Sequence, residues 1–359
     1  MAQKKTFIAI VGGGPAGLIA ALYLARLPDT RIVVYEKNPK AAYAATPCAE
    51  GISLHTLQKL EADTGFCCTP FIARSVEGIR VIFPDNATCI YNEPGATLDR
   101  DAWQRAMADE VKNRGIEILY NTRIRKINDL EANFIIGADG PASRVRAAMG
   151  GRVDMVPACQ YRMRLNRAVT CFEFYFHPMF HHHGRHKTGY GWVFPRDDVC
   201  NVGVKGPFRL LDRFIDTWRI DGEILEKAGA PIPINGSVFE NSRMFLIGDA
   251  GGMPNPLTFG GLSPIVHCAD FLCRAINAGR PGVYTDLIRK NHFFPPYWTG
   301  KKDLFYDDAL MNRMGTIYDG CRIYPPSFRL IARTLKHPGF WRHNLRLVRH
   351  LRRIKRVSW

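Results

Sequence analysis

The last forty positions of the chain contain no acidic residue. Residues 320–359 hold 11 Lys or Arg and no Asp or Glu, which leaves the other 319 residues only +5 of the net charge of +16. No C-x-x-C pair occurs among the ten cysteines. Their spacing supports neither a disulfide framework nor a zinc site, so they read as reduced cytosolic thiols, several of them core. Cys67-Cys68 is read as structural. No basic start, apolar run and small-residue cleavage site marks a signal peptide. No internal repeat or low-complexity tract stands out. No nucleic-acid recognition motif accompanies the positive charge, so nucleic acid is not an expected partner. Phe7–Ala25 is nearly all apolar, but a glycine cluster and Pro15 divide it into a strand and a helix rather than a membrane span. What is present is a globular composition, 46% hydrophobic and 11% aromatic, in 359 residues. That length suffices for two or three lobes with a sizeable core.

The basic end has its own pattern. Within Phe340–Trp359, Leu345, Val348, Leu351, Ile354 and Val357 recur at three-residue steps. Arg346, Arg349, Arg352, Arg353 and Arg356 occupy the remaining positions. This is a basic amphipathic helix. It suits an anionic membrane surface and equally a helix packed on the body with a solvated basic face. The expected location is the cytoplasm, with the tail opening a peripheral place on the inner face of the membrane.

The start of the chain carries the strongest local signal. Thr6–Val11 is a short apolar run with β-branched residues, a buried strand by pattern. Gly12, Gly14 and Gly17 follow as G-x-G-x-x-G, and Pro15–Leu27 reads as a helix with Pro in its first turn. Such glycines allow a tight turn and close backbone approach to a pyrophosphate at the helix N-terminus. The next strand, Arg31–Tyr35, ends at Glu36, 24 residues past Gly12, where an acid for ribose hydroxyls is expected. An acidic residue here argues against a 2′-phosphate on the nucleotide. Further along, Leu98–Gly115 reads as a helix, Ile116–Tyr120 and Phe134–Ala138 as strands, Arg243–Ile247 as a strand, and Gly261–Ala278 as a long helix. Residues 151–239 read as mostly β, and 281–359 as helical.

Val11–Gly17, Ile135–Arg146 and Leu246–Gly261, in this order and at these separations, read as the clamp of one FAD. The second and third segments resemble those of the FAD oxidoreductases that include aromatic hydroxylases, flavin halogenases and geranylgeranyl reductases. Asp139-Gly140-x-x-Ser143-x-x-Arg146 matches their second fingerprint. Gly248-Asp249 matches their third, whose Asp contacts the ribose of the FAD. Asn255–Gly261 places glycines at the start of the following helix, where backbone N–H groups stabilise negative charge on reduced flavin. Three further motifs resemble the geranylgeranyl reductase family. They are Pro47-Cys48-Ala49-Glu50-Gly51-Ile52, Leu98-Asp99-Arg100, and Tyr190-Gly191-Trp192-Val193-Phe194-Pro195 followed by Asn201-Val202-Gly203. One departure is Lys187, where the family has Pro three residues before the Tyr.

The resemblance, over roughly residues 5–280, implies an α/β chain. Its parts are a Rossmann-like FAD-binding domain of glutathione-reductase/hydroxylase type, a mostly antiparallel β substrate lobe and a helical C-terminal extension. The expected FAD-binding domain is discontinuous, 1–150 and 240–280, with 61–94 shared between it and the β lobe of 151–239. Residues 281–359 form the extension. The cofactor positions implied are Gly12, Gly14, Pro15, Ala16, Gly17, Glu36, Lys37, Cys48, Ala49, Arg100, Asp139, Gly248, Asp249, Gly260, Gly261 and Leu262.

Tyr190, Trp192 and Phe194 alternate, so on a strand they share one face. Such a face is an apolar wall suited to a prenyl chain, or an ordinary aromatic core strand. As a wall, its Tyr190 and Trp192 rings can stabilise a cation that develops while an isolated alkene is reduced. Cys48 is a candidate to position substrate, tune the flavin or relay a proton, and equally a small buried hydrophobe. His177, His181, His182, His183 and His186 cluster without accompanying carboxylate or Cys spacing, so no metal is assigned and a solvated loop near the pocket mouth is expected. The expected activity is FAD-dependent saturation of C=C bonds in an isoprenoid (geranylgeranyl-type) lipid, quinone tail or prenyl diphosphate. The alternatives are an FAD-dependent monooxygenase or halogenase acting on an aromatic, and a flavin-bearing electron-transfer or scaffold protein. With one glycine motif taken by FAD, the electron donor is either transiently bound NAD(P)H or an acidic carrier such as ferredoxin, which a basic surface would steer.

Overall fold

The computed structural model describes residues 5–42, 47–181, 189–256, 258–291, 308–341 and 345. Its first sheet is parallel, with five strands in the order β15 (Met244–Leu246), β9 (Phe134–Gly137), β1 (Thr6–Val11), β2 (Thr30–Tyr35), β8 (Glu117–Leu119). Both faces of β1 are covered. Ile8 and Ile10 pack with helices α1 (Pro15–Leu24) and α6 (Leu262–Asn277), while Ala9 and Val11 pack with Ile127, Ile135, Val145 and Leu246. Two buried faces explain a continuous apolar run in place of alternation. Ala16–Leu24 are buried all round. A helix enclosed on every side needs no polar stripe, which is why this segment imitates a membrane span. Among the described residues no helix is long and apolar enough to cross a membrane.

The second sheet has eight strands. Their order is β14 (Gly222–Ile234), β10 (Asp154–Leu165), β13 (Val199–Lys205), β12 (Gly191–Arg196), β11 (Phe172–Tyr175), β5 (Ile79–Ile82), β6 (Thr88–Tyr91), β16 (Cys321–Tyr324). Pairing is antiparallel except between β11 and β5 and between β6 and β16. A three-stranded sheet, β3 (Gly51–Ser53), β7 (Gly95–Leu98), β4 (Ile72–Val76), is interleaved in sequence with β5 and β6. Residues 79–91 therefore join the sheet built mainly from 154–234.

One expectation is met only in part. The C-terminal region is not wholly helical, since Cys321–Tyr324 adds an edge strand beside β6, with helices at Gly282–Lys290, Asp308–Tyr318 and Phe328–Leu335 around it. Four residues give no readable period, and the partner strand is more than 200 positions away. Within the β lobe, α5 (Phe208–Trp218) packs Leu210, Leu211 and Phe214 on the back of the sheet against Val193, Val202 and Val204.

The front of that sheet is ordered by register. Phe174, Trp192, Gly203, Gln160 and Ala228 lie opposite one another across five strands, as do Phe194, Asn201, Arg162 and Glu226 in the adjoining row. Directly paired residues share a face. The front face therefore grades from aromatic at β11 and β12, through polar at β13 and β10, to small and charged at β14.

Two short helices complete the frame near the site. Asp99 caps α3 (Arg100–Asn113) by accepting from the Ala102 N–H, and Gly115 follows at φ +77°. Ser53 caps α2 (Leu54–Thr64) in the same way through the Thr56 N–H.

Candidate functional site

A cavity of about 640 Å³ is bounded on one side by the turn between β1 and α1, and on the other by the front of the eight-stranded sheet. The three glycines of the turn have three separate tasks. Gly12 sits at φ +110°, and a Cβ there would lie 2.3 Å from the Ala138 carbonyl oxygen. A Cβ on Gly17 would lie 1.9 Å from the Gly12 carbonyl oxygen, so Gly17 lets α1 close on the turn. At Gly14 a Cβ meets no atom within 4 Å, because this residue faces the cavity. Pro15 and Ala16 line the wall beside it, and the first turn of α1 has no side-chain cap to engage its N–H groups.

Acids ring this wall. Glu36 accepts hydrogen bonds from the Gly13 and Asn38 N–H groups at 2.7 Å each, and it lines the cavity with Lys37. Asp139 accepts from the Ser143 hydroxyl at 2.5 Å and the Arg144 N–H at 2.6 Å, at the start of α4 (Arg144–Ala148). Arg146 then donates to the Ala250 carbonyl at 2.9 Å, which ties the second motif to the third. Burial pushes the Asp249 carboxyl up to about 6, opposed by the positive charges of Arg100 and Arg146. Arg100, at the first turn of α3, is buried at the cavity wall, and its Nε has no hydrogen-bond partner. Gly260, Gly261 and Leu262 bring the uncapped start of α6 to the same wall.

The loop at Pro47–Glu50 crosses between the two sides and is anchored to the sheet. Gln160 Nε2 donates to the Cys48 carbonyl at 2.9 Å, and Asn201 Nδ2 to the Ala49 carbonyl at 3.1 Å. Glu50 is buried at φ +67° and accepts from Asn201 at 3.1 Å, with Arg196 at 3.3 Å and Arg162 at 3.5 Å. Burial raises its carboxyl above the usual range, and Arg196, Asn201, Arg162 and Arg100 pull it back. The half-buried Cys48 thiol lines the cavity and accepts from the Glu50 N–H at 3.2 Å.

Tyr190, Trp192 and Phe194 all reach the cavity from one face, joined by Phe174 and Phe259. The Phe174 and Tyr190 rings are 5.0 Å apart, and Tyr190 and Trp192 are 6.0 Å apart. The Tyr190 hydroxyl donates to the Thr258 carbonyl, and burial raises its ionisation further out of reach. The Trp192 indole lies flat over Gly203, whose hypothetical Cβ would fall 2.2 Å from Cζ2. Its Nε1–H has no hydrogen-bond partner.

Sixteen of the expected positions divide simply. Fourteen of the cofactor positions line the cavity, as do the three aromatics; Gly17 and Gly248 do not, and act in packing. Gly248 sits at φ +62°, against Ala16 and Ile265. Of the clustered histidines, the two that are described, His177 and His181, are not at the wall. His177 accepts from the Met179 N–H at 3.1 Å and stacks edge-on against Trp218, and His181 is buried, which differs from a solvated loop at the pocket mouth. His182, His183 and His186 lie outside the described residues, as does Lys187. All ten cysteines are free. Sequence reasoning gave no task to Glu50, Gln160, Phe174 or Gly203. The partner of Gln160 is set only by strand register.

Residues 10–59 match the model of an NAD(P)-binding Rossmann-like domain. Digeranylgeranylglycerophospholipid reductase 3 of Methanosphaera stadtmanae is 26% identical over 313 residues, 72% of this chain and 74% of that protein. The chain is an FAD-dependent oxidoreductase similar to geranylgeranyl-type reductases. Its fold is shared with a geranylgeranyl bacteriochlorophyll reductase-like protein of Thermoplasma acidophilum, at TM-score 0.75 and 21% identity over 99% of this chain and 100% of that one. A flavin-dependent halogenase, CmlS, shares it at TM-score 0.62 and 19% identity, covering 88% of this chain and 62% of its own. The wall of this reductase-like chain fits FAD on its own observations: open space at Gly14, an unpartnered buried Arg100 Nε, and the Glu36 and Asp249 carboxyl groups in the cavity lining.

Proposed function

We propose that the chain saturates C=C bonds of an isoprenoid lipid, quinone tail or prenyl diphosphate. One observation carries this reading: an aromatic sheet face and the glycine-and-acid wall of a dinucleotide site front the same cavity. The names of its relatives point to the same substrate class.

Gly14 and Ala16 would hold the pyrophosphate with backbone N–H groups, with Gly12 and Pro15 shaping the turn that lets it approach, Glu36 the adenosine ribose, and Asp249 a hydroxyl nearer the ring system. Lys37, Cys48, Ala49, Arg100 and Asp139 would surround the cofactor, with Gly260, Gly261 and Leu262 offering the positive end of α6. Bound FAD, once reduced, supplies a hydride equivalent. The alkene takes that hydride on one carbon and a proton on the other, so two hydrogens are gained per bond. Positive charge building on the substituted carbon is stabilised by the faces of Tyr190 and Trp192. Phe194 and Phe174 exclude water from the chain. The Tyr190 hydroxyl is already donating to Thr258, so its ring rather than its proton is what it offers. Cys48 stands where it can position the chain or relay the proton. The electron donor is NAD(P)H bound transiently or a small acidic carrier such as ferredoxin. The tail 340–359, most of it outside the described residues, is proposed to meet an anionic membrane surface.

The test is anaerobic. The flavin of the purified protein is reduced chemically, a geranylgeranyl lipid is added, and reoxidation is followed with mass analysis of the product. Reoxidation with a gain of two mass units per bond is expected. No reoxidation without O₂, together with turnover of an aromatic when O₂ is present, would move the chain to the monooxygenase and halogenase reading. If Cys48→Ser and Cys48→Ala both keep the full rate, Cys48 has no chemical role.

A further inference from the structure

Nine large hydrophobic side chains are exposed among the described residues, and five of them fall between Phe328 and Leu345. The helix Phe328–Leu335 is capped by Ser327, which accepts from the Leu330 N–H at 3.2 Å. Its inner side buries Leu330 beside Phe340, Met311 and Met314. Its outer side presents Phe328 at 85% exposure, Ile331 at 47% and Leu335 at 58%. Their spacing of three and four residues makes a single stripe along the helix. Trp341, 44% exposed, extends it, held by donation from its Nε1 to the Thr334 carbonyl at 2.8 Å. A helix that already buries one apolar side should present a polar one to water, and this one does not.

The charges that the helix itself carries are of one sign. Arg322, Arg329 and Lys336 are exposed around it, and Arg333 donates to the Asp319 carbonyl at 2.7 Å. No Asp or Glu follows Asp319 in the sequence. An apolar stripe on a helix whose own charged side chains are all positive complements a bilayer surface carrying anionic headgroups. The strand β16 precedes the helix and fixes it to the edge of the eight-stranded sheet whose front lines the cavity.

We propose that the outer face of Phe328–Leu335, with Trp341, is a docking face that inserts into an anionic membrane leaflet. This deepens the isoprenoid-lipid reading, on which it rests for its purpose: the face would hold the enzyme at the surface from which such a substrate is drawn. It also assigns insertion to a described helix ahead of the basic tail.

The full-length holoprotein is mixed with vesicles of phosphatidylcholine alone and of phosphatidylcholine with phosphatidylglycerol, and bound protein is measured by flotation. Strong binding is expected only to the anionic vesicles. The triple variant Phe328→Ser, Ile331→Ser, Leu335→Ser should bind about 100-fold more weakly, from half-burial of three apolar side chains. Arg329→Gln and Lys336→Gln should each weaken binding about fivefold at low salt, and less at high salt. These side chains are exposed, so FAD content and reduction of a short, water-soluble prenyl substrate should be unchanged in every variant. Binding of the triple variant equal to that of the parent would overturn the proposal, as would absence of binding by the parent. A parent that dimerises in solution through this face and floats with no vesicle would overturn it too. Because flotation needs no turnover, failure of the docking face and failure of the reductase reading give different results.

Discussion

Gly203→Ala tests how the aromatic wall is built. The added Cβ would lie 2.2 Å from Trp192 Cζ2, 2.4 Å from Cε2 and 2.7 Å from the Cys159 carbonyl oxygen. Packed carbons sit ~3.5–4.0 Å apart, so the indole must retreat by roughly 1.3–1.8 Å. The carbonyl belongs to the β10–β13 ladder and gives little. Overpacking of this kind costs about 1–3 kcal/mol of stability. A wall displaced by more than 1 Å beside a reacting group costs about 10²-fold in rate. The assay is single-turnover anaerobic reoxidation of reduced enzyme by a prenyl substrate, with FAD affinity measured separately by fluorescence. We expect FAD affinity unchanged, since Gly203 is not on the glycine-turn side, and reoxidation slowed about 100-fold. Adding Trp192→Phe removes the overlapping indole atoms. The double variant should recover most of the lost stability while remaining slow, a coupling of about 1–3 kcal/mol for residues in contact. A Gly203→Ala enzyme within twofold of the parent rate and equally stable would refute the reasoning.

Three further outcomes follow from the charges at the site. The Asp249 carboxyl, pushed up to about 6 by burial, is protonated below that pH when no cofactor is bound, and hydroxyls donated by FAD favour its ionised form. FAD affinity should therefore fall as pH drops through about 6, by up to about tenfold per unit, and titration of Asp249→Asn should show a flat profile there. For the cofactor-free chain the sign reverses. Its folded state holds this proton more tightly than the unfolded chain does, so thermal stability should decline as pH rises from 3.8 toward 6, measurable by calorimetry. Glu50→Gln removes the charge facing Arg196 and Arg162, which retain Asp99 at 3.5 Å and Glu226 at 3.0 Å. A loss of about 1–3 kcal/mol in denaturant unfolding is expected, with slower alkene reduction as the Cys48 loop loosens.

Local rules made much of this chain legible from its sequence. Thr6–Val11 is a strand at the expected bounds, and the helix after the glycine turn begins at Pro15 as expected but ends at Leu24. The alternation of Tyr190, Trp192 and Phe194 placed three rings on one face because strand geometry repeats every two residues. Each of these features is written within a few consecutive residues, by turn sterics, side-chain period or helix capping.

Tertiary structure decided the remainder. Nothing local says that Gly203 lies beneath Trp192, that Gln160 holds the Cys48 carbonyl, or that Glu50 faces Arg196 and Arg162. Those pairings span up to about 150 positions and depend on strand register. Register is fixed by the packing of whole faces and not by the propensity of any segment. The same holds for Cys321–Tyr324, which is a strand because β6 offers an unpaired edge, and for Phe328, Ile331 and Leu335, whose exposure follows from Leu330 having taken the inner side of their helix. The sequence by itself determined which residues can turn, cap and alternate. The closing of distant segments onto one another determined which of them meet.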